Sequence, residues 1–280
     1  MSVHIPITEP DLPAGHELPE QELIDVGAAT PSHPTPLLFV HGEAHAAWCW
    51  RENFLGYFAA RGYRAVAVSL SGHGASGIYK PFQDYSIKDY IDDVAAAADS
   101  LPTAPVLIGH STGGFVVEKY LDTHRAPAVV LMASVPPRHP SGTFLRMIRR
   151  HPWALTMGTL AGEDEAVIHD PKWARQTYFT PRTPAADVDR WAAQFSPESV
   201  RAELDCLMVS RPYLNRVDDP VLVLGADDDA CCTGYAVRVT ANAYRTKAEF
   251  FPGMGHDMML EPGWEKVAGR IDSWLTGLSL

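Results

Sequence analysis

Short apolar runs recur along the chain, each closed by a turn residue. Residues 37–40 (Leu-Leu-Phe-Val) run into His41-Gly42, 65–68 (Ala-Val-Ala-Val) precede a glycine-rich loop, and 106–108 (Val-Leu-Ile) end at Gly109. Residues 128–132 and 221–224 repeat the pattern. Every position in these runs is apolar, not every second one. That predicts strands buried on both faces. Between the runs the period changes. Residues 48–61 and 85–101 read as helices, the second with Ser86 as its cap and Ile87, Tyr90, Ile91 and Val94 on one face. A helix near 233–243, a strand at 248–251 and a last amphipathic helix over 263–275 complete the series. The first fifteen residues hold Pro6, Pro10 and Pro13 and read as an extended arm, followed by a short edge strand around 21–26. Strands alternating with helices predict an α/β fold, a mostly parallel central sheet flanked by helices.

One interval breaks the rhythm. Roughly 85 residues separate Ser134 from the strand at 221, far more than a crossover needs. The interval holds Pro136, Pro137, Pro140, Pro152, Pro171, Pro181 and Pro184 with helical patches between them. It predicts a mainly helical cap over 136–216, inserted after the strand near 128–133 of a core made of 1–135 and 217–280. Large side chains recur in it: Phe144, Met147, Trp153, Met157, Trp173, Tyr178, Phe179, Trp191 and Phe195. Most of them pack the cap onto itself and the core; the rest line an apolar, medium-sized cavity.

Composition narrows the function classes. The 280 residues carry a formal net charge of -11, which argues against nucleic acid and anionic membrane surfaces as partners. No apolar run reaches membrane-spanning length, and the first residues lack the basic start and apolar block of a secretory leader. Cys49, Cys206, Cys231 and Cys232 have no metal-ligand spacing and read as small buried thiols of a reducing cytoplasm. The expectation is a cytoplasmic protein acting on a small molecule, with no metal and no cofactor.

The chemistry centres on residues 106–117, an apolar strand, then Gly109-His110-Ser111-Thr112-Gly113, then an apolar helix start. A serine hydroxyl is a poor nucleophile unless held exposed beside a base. A sharp strand-to-helix turn exposes it, and its crowding demands small neighbours two before and two after, which Gly109 and Gly113 supply. The helix start adds free N–H groups and a dipole that favours negative charge. A base and an orienting acid belong on loops at the carboxyl ends of later strands. His256 closely follows the strand at 248–251, and Asp227-Asp228-Asp229 follows the strand at 221–224. The order serine, aspartate, histidine is that of one of the three familiar triads.

From about residue 35 to the end, the chain resembles the α/β-hydrolase superfamily. The matching stretches are F-V-H-G at 39–42, S-G-H-G-A-S at 71–76, G-H-S-T-G-G at 109–114, G-A-D-D at 225–228 and G-H-D-M-M-L-E-P at 255–262. His41 to Trp50 also resembles the opening of small cofactor-free serine esterases. The resemblance implies a serine hydrolase with Ser111 as nucleophile, His256 as general base and Asp228 as the acid, Asp227 and Asp229 being the alternatives in the same turn. It implies backbone oxyanion donors at Thr112 and Glu43, although a carboxylate at 43 departs from the small or apolar residue usual there. His41, His73 and His110 are expected to be structural, Ser69 to serve local hydrogen bonding, and Asp257 to be a surface or helix-start charge. The implied reaction is hydrolysis of a carboxylic ester, thioester or lactone. A lyase, an acyltransferase, a carbon–carbon hydrolase and a ligand-binding receptor remain alternatives on the same fold.

Overall fold

The structure, a computed structural model, describes residues 2–6, 20–137, 165–208 and 219–280. Eight strands form one sheet: β1 (Ser2–Pro6), β2 (Glu20–Val26), β3 (Leu37–Val40), β4 (Ala65–Val68), β5 (Val106–His110), β6 (Val129–Met132), β7 (Val221–Ala226) and β8 (Ala248–Phe251). Their order is β1-β2-β4-β3-β5-β6-β7-β8. β1 and β2 pair antiparallel, as does β2 with β4; all the remaining pairs are parallel. Thus the expected mostly parallel sheet is present. The strand expected near 21–26 is present as β2 but is not an edge, because β1, which the proline-rich start did not reveal, pairs along its outer side.

The apolar runs occupy the middle of the sheet, where both faces are covered. Every residue of β3 and β4 is buried, and so is every residue of β5 and β6. Each such Leu, Val, Ile or Phe contributes about 1.5–3 kcal/mol relative to exposure. The flanking helices are α1 (Trp48–Arg51), α2 (Phe54–Ala59), α3 (Ile87–Asp99), α4 (Thr112–Tyr120), α9 (Gly234–Ala243) and α10 (Trp264–Gly277). α3 starts as its sequence predicts. Ser86 accepts from the Asp89 N–H, and the Asp89 carboxylate accepts from the Ser86 N–H at 2.7 Å.

The single helix expected over 48–61 is instead two. The break falls at Asn53, whose backbone leaves the helical region (φ -137°). Its side-chain amide donates to the Met259 carbonyl at 2.9 Å, a long-range bond that competes with helix continuation.

Topology decides where a site can form. The chain goes from β3 to β4 on one side, then crosses to β5 on the other side of β3. The connections after β3 and β5 therefore leave in opposite directions, opening a crevice at their carboxyl ends. Gly42-Glu43 and Ser111 sit there.

Within the interval between β6 and β7 the described residues form α5 (Glu165–Ile168), α6 (Pro171–Tyr178), α7 (Ala185–Ala192) and α8 (Val200–Met208), and no strand. Phe144, Met147, Trp153 and Met157 lie outside the described residues. The segment is seated by buried polar groups. Glu261 accepts from the Thr180 N–H at 2.6 Å, the Thr180 hydroxyl at 2.8 Å and the Thr183 hydroxyl at 2.6 Å. Tyr90 donates to Glu198 at 2.5 Å, and Ser199 to the Tyr85 carbonyl at 2.7 Å.

The central strands predict a steep cost of truncation. Leu107→Ala, in the middle of β5, should cost about 2–5 kcal/mol. Calorimetry should then show Tm falling by at least about 4 °C.

Candidate active site

β5 and α4 meet at Ser111 with almost no connecting residue, and the backbone bears the consequence. Ser111 has φ +52° and ψ -122°, a conformation that side-chain-bearing residues avoid. Such a residue costs on the order of 1–3 kcal/mol and persists only where its surroundings over-determine it. Here they do. The Ser111 N–H donates to the Met132 carbonyl at 3.0 Å, and its carbonyl accepts from the N–H groups of Gly114, Phe115 and Val135. The glycines are required by contact. A Cβ on Gly109 would lie 2.7 Å from the Gly113 carbonyl oxygen, and one on Gly113 only 2.1 Å from that of His41. Gly114 is a third such position, with the Ser134 hydroxyl 2.4 Å from where its Cβ would sit.

His256 and its carboxylate are together, with one shift from expectation. His256 Nδ1 is 2.8 Å from Asp229 Oδ2, the side chains 2% and 1% exposed. The acid in reach is therefore Asp229, and the expectation of Asp228 is corrected by one position. The reason lies in the turn. β7 continues through Ala226, and the next two N–H groups are spent on the neighbouring loop. Asp227 donates to the Phe251 carbonyl and Asp228 to that of Met254, leaving both side chains exposed. The chain then turns inward, and Asp229 is the first carboxylate to face the crevice. Its Oδ1 accepts from the N–H groups of Cys231 and Cys232, both at 2.7 Å, so Oδ2 is aimed at the imidazole.

The ring's proton inventory follows. Nδ1 donates to Asp229, which leaves Nε2 as the acceptor in the neutral form. Burial alone would push the His256 pKa down. The Asp229 charge and hydrogen bond outweigh it and hold the value above the ordinary one, with Asp257 and Glu43 adding to the rise.

The loop after β3 lies against Ser111. A Cβ on Gly42 would be 2.8 Å from the Ser111 Cβ. His41 sets the loop's orientation. Its Nε2 accepts from the Leu70 N–H at 3.0 Å, so Nδ1 carries the hydrogen and donates to the Gly42 carbonyl at 2.8 Å. In a trans peptide the N–H points opposite to the carbonyl, so pinning the Gly42 oxygen fixes the direction of the Glu43 N–H. Thr112 opens α4, where the first N–H groups have no acceptor within the helix. The Glu43 side chain is half-buried, and its charge is felt at His256, Cys231 and Cys206.

The other expectations resolve individually. His110 is buried and bridges loops, with Nε2 3.0 Å from the His256 carbonyl; burial and the neighbouring His256 push its pKa down to about 3. A neutral ring can donate from Nε2 there. His73 serves its own loop, Nδ1 lying 3.2 Å from the Ser71 carbonyl, and it also faces Glu198 at 3.5 Å. The Ser69 hydroxyl accepts from the Ala47 N–H and donates to Glu22. Cys49, Cys206 and Cys232 are buried, whereas Cys231 is exposed, correcting the expectation for that thiol. Asp257 is a further correction. It is fully buried and faces His45 Nε2 at 3.0 Å. Neither residue of that pair stands out in the sequence, since His45 is one of many scattered histidines and Asp257 adjoins a residue with its own partner.

Among the described residues, two groups hold donor atoms within 4.8 Å of one another, His110 with His256 and Asp257, and Asp229 with Cys231 and His256. Both share His256, whose Nδ1 is engaged by Asp229, and Cys231 Sγ donates to the Thr177 carbonyl at 3.2 Å. Hydrogen bonding thus accounts for the second of these groups. No described helix is long and apolar enough to cross a membrane.

A parallel sheet with a strained serine at its switch point, opposite a buried His–Asp pair, defines a recognisable class of fold and site. The chain belongs to the alpha/beta hydrolase family, whose pattern it matches over residues 37–270. It is 27% identical over 247 residues to a non-heme haloperoxidase of Rhodococcus erythropolis, covering 80% of this chain and 86% of that one. It is 29% identical over 202 residues to a probable esterase of Oryza sativa subsp. indica, covering 66% and 69%. Among solved structures, an esterase from Thermogutta terrifontis aligns with TM-score 0.73 at 20% identity, over 100% of both chains. A putative non-heme bromoperoxidase from Mycobacterium tuberculosis aligns with TM-score 0.72 at 21%, over 95% and 99%.

The corrected acid makes a sharp prediction. Asp229→Asn removes the charge that raises the His256 pKa, so the imidazole should titrate at lower pH. Asp228→Asn should leave the titration where it is. Following the His256 ring resonances by NMR against pH distinguishes the two.

Proposed function

We propose that the chain is a serine hydrolase that cleaves carboxylic esters, with Ser111 as nucleophile, His256 as base, Asp229 as orienting acid, and the backbone N–H groups of Glu43 and Thr112 as oxyanion donors. The observation that carries this reading is the backbone of Ser111. A positive φ at a serine, held by four hydrogen bonds at the sheet's switch point, has no structural benefit that a glycine would not supply better. It does expose a hydroxyl.

The steps balance. Ser111 Oγ loses its proton to His256 Nε2 and attacks the ester carbonyl carbon. The negative charge passes to the carbonyl oxygen, where the two N–H groups receive it. Collapse breaks the bond to the alkoxy oxygen, which leaves with the proton from the imidazolium. Water then loses a proton to Nε2, its oxygen attacks the acyl carbon, and the acid departs as Ser111 regains its proton. Asp229 keeps the ring's tautomer and stabilises its cationic form throughout. No step calls for a metal or cofactor.

Residues 136–216 would act as a cap over this site, and its aromatic side chains support an apolar acyl or alcohol group. Tyr178 lies 5.9 Å from the His256 ring and Phe195 4.8 Å from that of His45, ring centre to ring centre, with Trp173 behind Tyr178. The relatives named as esterases support ester cleavage in particular.

Hydrolysis of p-nitrophenyl esters from acetate to dodecanoate tests the reading. Ser111→Ala should lower kcat by at least about a thousandfold while the protein stays folded. The acid limb of kcat/KM should lie above the ordinary histidine value of about 6.5, because the neutral base is the active form and its pKa is raised. Full activity in Ser111→Ala would reject the proposal.

A further inference from the structure

The His45–Asp257 pair is buried beside the site, yet the steps above do not use it. His45 is two residues beyond Glu43 in the loop after β3, and Asp257 follows His256. His45 Nδ1 is 2.7 Å from the Glu43 carbonyl oxygen, and Nε2 is 3.0 Å from Asp257 Oδ2. Both partners are acceptors. Both contacts are hydrogen bonds only when the ring carries two hydrogens, the imidazolium form. The side chains are 1% and 0% exposed, and a buried carboxylate requires such a partner. Burial by itself would raise the Asp257 pKa; the His45 charge and hydrogen bond reverse this and hold it below the usual carboxylate range.

We infer that the His45–Asp257 pair is a positioning element that locks the loop of the oxyanion donor Glu43 to the loop of the base His256, so that hole and base are set as one unit. This rests on the serine-hydrolase reading. The loop needs such a lock, because Ala44 has φ +64°. Three successive carbonyls are pinned to hold it: Gly42 by the His41 ring, Glu43 by the His45 ring, and Ala44 by the Ser196 N–H at 3.0 Å. The other side is equally fixed. The Asp257 N–H donates to the Tyr178 carbonyl, and its own carbonyl accepts from the N–H groups of Leu260 and Glu261. The His45 ring is packed by Trp48, Phe195 and Tyr178. Its bond to Asp257 thus joins two rigid segments that are distant in sequence.

The charges give the lock an electrical signature. Asp257 raises the His256 pKa. A positive charge on the His45 ring lowers those of the neighbouring His41 and His110, and by the same repulsion it opposes the rise at His256. The other titratable groups facing the pair are His41 and His110 at the ends of β3 and β5, Cys49 on α1, Tyr178 on α6, Cys231 beyond Asp229, and Glu43. None changes in the variants below.

The test is the rate at which a fluorophosphonate labels Ser111, followed against pH in the wild type, His45→Gln, Asp257→Asn and the double variant. Both single variants should lower the plateau rate by about tenfold or more, because the oxyanion donor and the base lose their mutual register. Their midpoints should move in opposite directions, downward when the Asp257 charge is lost and upward when the His45 charge is lost. The double variant's midpoint should return toward that of the wild type. Plateaus and midpoints like the wild type's, or slowing with unmoved midpoints, would overturn the inference. A folded wild type that is not labelled at Ser111 would instead reject the serine-hydrolase reading, and the pair's role with it.

Discussion

The conformation of one residue constrains the rest of the site. Ser111 can hold φ +52° only because three elements converge on it with backbone in contact with backbone. That convergence fixes Gly109, Gly113 and Gly114, since a Cβ at any of them would overlap a neighbouring strand, helix or loop. It also sets the distance between β3 and α4, and hence where the Gly42-Glu43 loop lies. The fully buried middle of the sheet supplies the stability against which this local strain is small.

Around the serine, polar groups are arranged so that each orients the next. Two backbone N–H groups hold one oxygen of Asp229, its other oxygen holds the His256 ring, and His110 holds the His256 carbonyl. On the opposite wall the His41 ring, pinned by Leu70, fixes the Gly42 peptide. Every one of these imidazoles is buried, yet their proton affinities differ because their partners differ. Burial and the neighbouring His256 push the His110 pKa down, whereas the Asp229 carboxylate outweighs burial and holds that of His256 up. Such divergence between neighbouring titratable groups is what acid–base chemistry at neutral pH requires.

Much of this was legible in the residues. Runs such as Leu37–Val40 have one structural solution, a strand covered on both faces, and the glycine spacing around Ser111 has a steric cause that operates locally. The Ser86 cap of α3 is equally local. What failed depended on contacts between distant segments. Asn53 breaks a helix because of Met259. The choice among three consecutive aspartates depends on how many N–H groups the turn after β7 spends on the β8 loop, which no local rule counts. Asp257 looked like a surface charge because its partner, His45, lies far away in the chain. In each case the deciding partner is remote in sequence, so periodicity and spacing carry no trace of it.

The account's central claim is that folding, and not the intrinsic chemistry of a serine, makes Ser111 reactive. Peptide mapping after exposure to a fluorophosphonate tests this most directly, in the folded protein and again in denaturant. The account predicts a single adduct, on Ser111, formed only while the chain is folded. An adduct elsewhere, at Ser134 or Cys231 for example, or one on Ser111 that forms equally fast in the unfolded chain, would contradict it.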